Sequence, residues 1–155
     1  MRTEPDLPQA DCAKAQRTGH TVAALGRPLA ALLLCYAGAT LVHFAHNAQY
    51  LKAYPNLPSA WSRTEVWLAW LGITALGACG CLLHLAGHQR SGLALLAVYA
   101  ALGLDSLGHY VVAPFSAHTP GMNLTILVEV GAAAAVLLCV LPLLWRSLAR
   151  PAGTG

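Results

Sequence analysis

Leu41 to Tyr50 reads LVHFAHNAQY and closes a long apolar run. His43, His46 and Asn47 stand at i, i+3 and i+4, so a helix places them on one face. Continued backwards, that face takes in Tyr36, Ala39 and Thr40; continued forwards, it reaches Tyr50. The opposite face is Leu, Val, Ala and Phe. A polar stripe on an otherwise apolar helix faces protein or water, not hydrocarbon, and the rest of the chain has to supply the surface that meets it.

The composition agrees with a helix of that kind. Of 155 residues, 57% are hydrophobic and only 10% charged, whereas a soluble domain carries about 25% charged residues. The net charge of +3 sits largely in the tails and beside the apolar runs, which is how membrane topology is written and is no signal for nucleic acid. Five cysteines are an odd count. Cys12 lies in the polar N-terminal stretch, while Cys35, Cys79, Cys81 and Cys139 lie inside apolar runs without a CxxC. They read as small apolar residues, not as ligands or a disulfide framework.

Taken in order, residues 1–27 are a polar, flexible tail, residues 28–147 hold four apolar runs, and residues 148–155 are a short C-terminal tail. The runs are expected at about 28–50, 62–87, 91–112 and 119–145, each of at least ~20 residues and so long enough for a hydrocarbon core of about 30 Å. Pro28 opens the first in the favoured first-turn position. Ala37-Gly38-Ala39 resembles a leader cleavage site, but the preceding segment is long and partly acidic and the apolar run continues past it, so an uncleaved span is expected. Tyr54-Pro55-Asn56-Leu57-Pro58 makes a turn. Ser62-Arg63-Thr64-Glu65 fits a capping box, with Trp61, Trp67 and Trp70 near the membrane interface. His88-Gln89-Arg90 separates runs two and three, and Thr119-Pro120 caps and opens the fourth.

The expected architecture is all-α, an integral membrane four-helix bundle of two antiparallel transmembrane hairpins. Arg2, Lys14, Arg17, Arg27, Arg90, Arg146 and Arg150 fall on one side, against Lys52 and Arg63 on the other. Both termini are therefore expected in the cytoplasm of a multi-pass protein, with a bacterial inner (plasma) membrane as its setting.

This topology gives the polar residues a common depth. Counted at 1.5 Å per residue from the loops at the outer face, His46 and His109 lie about 5–6 Å down, His43 and Asp105 about 10 Å, and Glu129 about 12 Å, with Thr125 above it. Asp105 and His109 are i, i+4 on one helix face, and small residues run beneath each polar group, so the bundle is expected to be tight in its inner half and open outward. Glu65 reads as a cap, His118 as a solvated loop residue and His84 as an interfacial one.

Ionisable side chains at that depth cost several kcal/mol unless paired, protonated or hydrated, so they are candidates for function. The first expectation is a transition-metal site (Zn, Fe, Cu or Mn) with His43, His46, Asp105, His109 and Glu129 as ligands or their support, and Asn47, Tyr50 and Thr125 around them. A b-type haem between His46 and His109 ranks below a bare ion, because Asp105 and Glu129 would fill its slot with carboxylates. Proton relays also use Asp, Glu and His chains, and a carrier or channel of four helices would need a second copy or a membrane partner subunit. An intramembrane enzyme working on a lipid by His/Glu acid–base chemistry, with Trp61, Trp67 and Trp70 at its pocket, is the third class. Hydrogen-bonded pairs that only fix packing, Asp105 with His109 or His43 with Glu129, are the fourth.

Overall fold

A computed structural model describes residues 25–58 and 60–149. Cys12 and nearly all of the expected N-terminal tail lie outside these residues, as do the last six. The described chain is helical, and four of its segments are long and apolar enough to cross a membrane: Arg27–Gln49, Arg63–Leu85, Gln89–Val112 and Pro120–Ala149. We label the helices α1 (Arg27–Gln49), α2 (Arg63–Leu85), α3 (Gln89–Gly103), α4 (Gly108–Val112) and α5 (Pro120–Ala149). α1 runs unbroken through Ala37, Gly38 and Ala39.

The ends of the helices follow from local chemistry. Ser62 caps α2 in a complete box: Glu65 N–H donates to Ser62 Oγ at 3.3 Å and Ser62 N–H to Glu65 Oε2 at 2.6 Å, so two otherwise orphaned donors are satisfied. At α5, Met122 N–H donates to Thr119 Oγ1 at 3.3 Å. Arg63 Nε donates to Ala48 O at 3.0 Å, pinning the start of α2 to the end of α1. At the opposite end, Arg90 Nε donates to Ser147 O at 2.9 Å and joins the start of α3 to the end of α5. Neighbouring spans therefore run antiparallel.

Around the bundle, α1 packs on α5, α5 on α3 and α3 on α2, while α2 returns to α1 along the loosest seam. The apolar core of Leu29, Leu33, Leu93, Leu96, Val136 and Val140 fills the end that carries the termini. Two glycines make the α2–α3 approach possible. A Cβ on Gly92 would lie 2.5 Å from the His84 nitrogen, and one on Gly80 would lie 3.0 Å from Leu96 Cγ. Small residues let helix backbones close in this way where lipid offers no hydrophobic drive between spans. His84 is the surprise of this end: it is buried against α3, not interfacial, because Gly92 leaves no gap above it. Halfway along, Tyr36 is fully buried and donates to Tyr99 O at 2.9 Å.

The third span departs from the uniform helix expected of it. After Gly103 the chain tightens into a 3-10 turn, Leu104–Leu107, before α4 resumes. Such a turn advances about 120° per residue instead of 100°, so successive side chains are rotated out of the register an α-helix would give. Asp105 consequently ends exposed, and Ser106 takes the inward position.

Candidate functional site

The face that begins at Tyr36 and leads through Thr40 to His43 is buried, as its residue types require. At its upper end, His43 meets Glu129 of α5. Each residue is about 1% exposed, and His43 Nε2 stands 3.5 Å from Glu129 Oε2. α1 and α5 can bring them together because α5 presents Ile126, Glu129 and Ala133, all buried, along the same stripe.

The hydrogen bonds around the pair assign its donors. The Thr125 hydroxyl donates to Met122 O at 3.0 Å, so at His43 Nδ1, 3.3 Å away, Thr125 Oγ1 accepts. A proton on Nδ1 leaves Nε2 as the lone-pair nitrogen. Nε2 accepts from the Asn47 amide at 2.9 Å and faces the Glu129 carboxyl. The Ser106 hydroxyl donates to Glu129 Oε2 at 2.5 Å. With its lone pair taken by the Asn47 amide, Nε2 stands beside the carboxyl at 3.5 Å without sharing a proton with it; a neutral imidazole beside a protonated carboxyl carries no net charge, which is the form that burial favours.

Closer to the loops, Tyr54 is the hub. It belongs to the turn segment, yet it is only 4% exposed and its ring lies among three histidines, with centroid distances of 5.8 Å to His46, 5.0 Å to His109 and 6.4 Å to His118. Burial pushes the Tyr54 phenol up to about 12. It thus remains a donor, and His46 Nδ1 accepts from it at 2.8 Å. His118 is buried, not solvated: its Nδ1 donates to Pro114 O at 3.1 Å, and its Nε2 has no partner. The 113–119 loop folds back over the bundle, where Asn123 holds it by donating to Phe115 O at 3.2 Å. Tyr50, on the same helix face as His43, is half exposed and stacks on His46 at 4.7 Å.

The expected site residues therefore separate into three groups. His43, Glu129, Asn47 and Thr125 form one network, joined by Ser106, which sequence reasoning passed over in favour of its neighbour Asp105. His46 turns to Tyr54 and Tyr50. His109 sits between, its ring 5.5 Å from that of His43, while Asp105 is exposed. Among the described residues, no three His, Cys, Asp or Glu side chains converge so that they could hold one metal ion. The Tyr54 ring is in contact with both His46 and His109, the two histidines a haem would need. Cys35 and Cys79 are exposed and Cys81 and Cys139 half-buried, all four with free thiols.

What the arrangement does provide is a cavity of about 380 Å³ along the loose α1–α2 seam, bounded on its third side by the Leu102–Val112 segment. Its polar end is His43, Asn47, Ser106, His109 and Asp105, and its walls are apolar, with Phe44, Trp61, Val66 and Ile73 among them. Of the three tryptophans near the start of α2, Trp61 alone lines it, while Trp67 and Trp70 pack edge to face at 5.7 Å. Comparisons with protein-family models, with curated proteins and with solved structures each find no match to the chain.

Proposed function

We propose that this membrane protein binds a membrane-soluble amphiphile in the α1–α2 cavity and exchanges a proton with it through His43 and Glu129. The observation that carries this reading is the position of His43: the same ring lines an apolar-walled cavity and backs onto a buried carboxyl. A cavity with mostly apolar walls and a few convergent polar groups is the usual form of a small-molecule site. An imidazole oriented by hydrogen bonds at both ring nitrogens is equipped for acid–base work once the Asn47 amide gives up Nε2. Ser106 and Asn47 fix the two partners, and Glu129 supplies the proton reservoir that keeps the pair neutral. The metal reading draws less support, since it needs three or more donors around one point.

For a carrier, the polar groups would have to continue through the bundle. Below Glu129 the route meets Tyr36, Tyr99 and then the aliphatic core, so access from one face only is the simpler fit. By the distribution of basic residues that face is the outer one, with both termini cytoplasmic.

The test is to purify the protein with its native lipids and identify by mass spectrometry what stays bound. Ala69 lines the cavity, and Ala69→Trp should fill it and remove the retained species. An identical complement of bound amphiphiles in both forms would defeat the proposal.

A further inference from the structure

The cavity's carboxylate at position 105 has no task in the network just described. Glu129 is matched by His43 and Ser106, whereas among the described residues no hydrogen bond or ion pair is formed by Asp105, and the cavity lining contains neither Lys nor Arg. The 3-10 turn that carries Asp105 sets it in the lining of this cavity. A carboxylate within a membrane span calls for a countercharge; the group that acts on Asp105 electrostatically is the imidazole of His109, four residues on in the same lining, which carries no fixed charge, so a fixed positive charge is left to be supplied from outside. Trp61 and Phe44 stand in the same walls, and aromatic rings attract cations.

We infer that the ligand class is a cationic amphiphile: an alkyl chain along the apolar walls and an ammonium group held by Asp105, with Trp61 beside it. This rests on the reading of the cavity as an amphiphile site and adds the charge of the head group. A phosphate- or carboxylate-headed lipid would bring a like charge to Asp105 and is disfavoured. A neutral head would leave the carboxylate unmatched.

The experiment is photo-crosslinking of the full chain in lipid nanodiscs, using diazirine-tagged dodecylamine and diazirine-tagged dodecanol, with labelled residues mapped by mass spectrometry. The expected result is labelling of cavity residues by the amine roughly ten- to a hundredfold above the alcohol, the range a charge-assisted hydrogen bond supplies. Asp105→Asn should reduce that preference to near parity while the melting profile stays that of the wild type, because the side chain is exposed and bonds nothing in the fold. Equal labelling by amine and alcohol in the wild type overturns the cationic class and leaves the amphiphile site standing. Absence of labelling by both probes overturns the amphiphile site with it. Unlabelled butylamine competing as well as dodecylamine would make the site one for free cations and refute the amphiphile assignment.

Discussion

Replacing His43 by leucine should be among the most damaging single changes in the bundle, and replacing Glu129 by glutamine among the mildest. The contrast follows from the geometry. His43 and Glu129 are each about 1% exposed and stand 3.5 Å apart, so neither can turn to water when its partner is lost. Removing one side of a buried pair typically costs about 3–5 kcal/mol, because the survivor is left uncompensated. In His43→Leu the Ser106 hydroxyl still serves Glu129, which places the expected loss near the lower end, about 3 kcal/mol. Glutamine at 129 keeps the shape and accepts from Ser106, so its effect should stay within ~1 kcal/mol and could be stabilising, since an amide is cheaper to bury than a carboxylate. The double variant His43→Leu, Glu129→Leu should recover about 2 kcal/mol relative to the sum of the single leucine changes. Unfolding free energies in mixed micelles, for wild type, single variants and the double, measure this coupling. A neutral His43→Leu with strictly additive leucine variants would refute the buried pair and the acid–base reading built on it.

Four further outcomes are expected. Gly92→Ala should destabilise by about 1–3 kcal/mol, since its Cβ would meet the His84 backbone at 2.5 Å, whereas Gly131→Ala, with nothing within 4 Å of its Cβ, should be neutral or slightly stabilising in the same unfolding assay. Glu65→Gln should retain the fold and any bound amphiphile, because the amide still accepts from Ser62 N–H; loss of binding there would show that a capping residue had been mistaken for an idle one. A cysteine in place of exposed Lys52 should react with an impermeant maleimide from outside intact cells and one at position 90 should not, with the reverse pattern inverting the topology. The folded Tyr54 phenol, raised to about 12 by burial, contributes stability that is complete below the ordinary tyrosine value near 10 and is lost as pH climbs from there through 12. Tyr54→Phe should therefore lose about 1 kcal/mol at neutral pH with the His46 bond and show a shallower alkaline decline; an unchanged pH profile would count against its burial.

Much of the fold was open to reading in the residues. Four apolar runs long enough to cross a bilayer, the Ser62–Glu65 box and Thr119-Pro120 located the spans to within a few residues, because length, caps and prolines act locally. The meeting of His43 with Glu129 also followed, since a common depth and two polar stripes on apolar helices leave few other pairings. Asp105 did not follow. Its placement depended on a switch from α to 3-10 geometry at Gly103, and no residue nearby enforces that switch as a proline would. His118 and Tyr54 were hidden for another reason: both belong to loops, and whether a loop lies in solvent or folds onto the bundle is decided by distant partners such as Asn123 and His46. His84 looked interfacial by sequence distance from a charged turn, and only the glycine opposite it, Gly92, explains its burial.

The pairing of α1 with α5 has a consequence for how the protein is made. His43 and the α5 residue that holds its Nδ1, Thr125, are 82 positions apart, with α2 and α3 between them. During synthesis the first span must enter the bilayer long before its polar stripe has anything to meet, while α2 and α3 can zip together through Gly80 and Gly92 as soon as both have emerged. Until the last span is released, the nascent chain is an α2–α3 hairpin beside a lone helix bearing two histidines and an asparagine. A ribosome stalled before Glu129 would expose that stripe to the insertion machinery and to quality-control proteases that recognise unpaired polar spans. Completion of the final helix is thus the step at which the polar stripe of α1 first finds its partners.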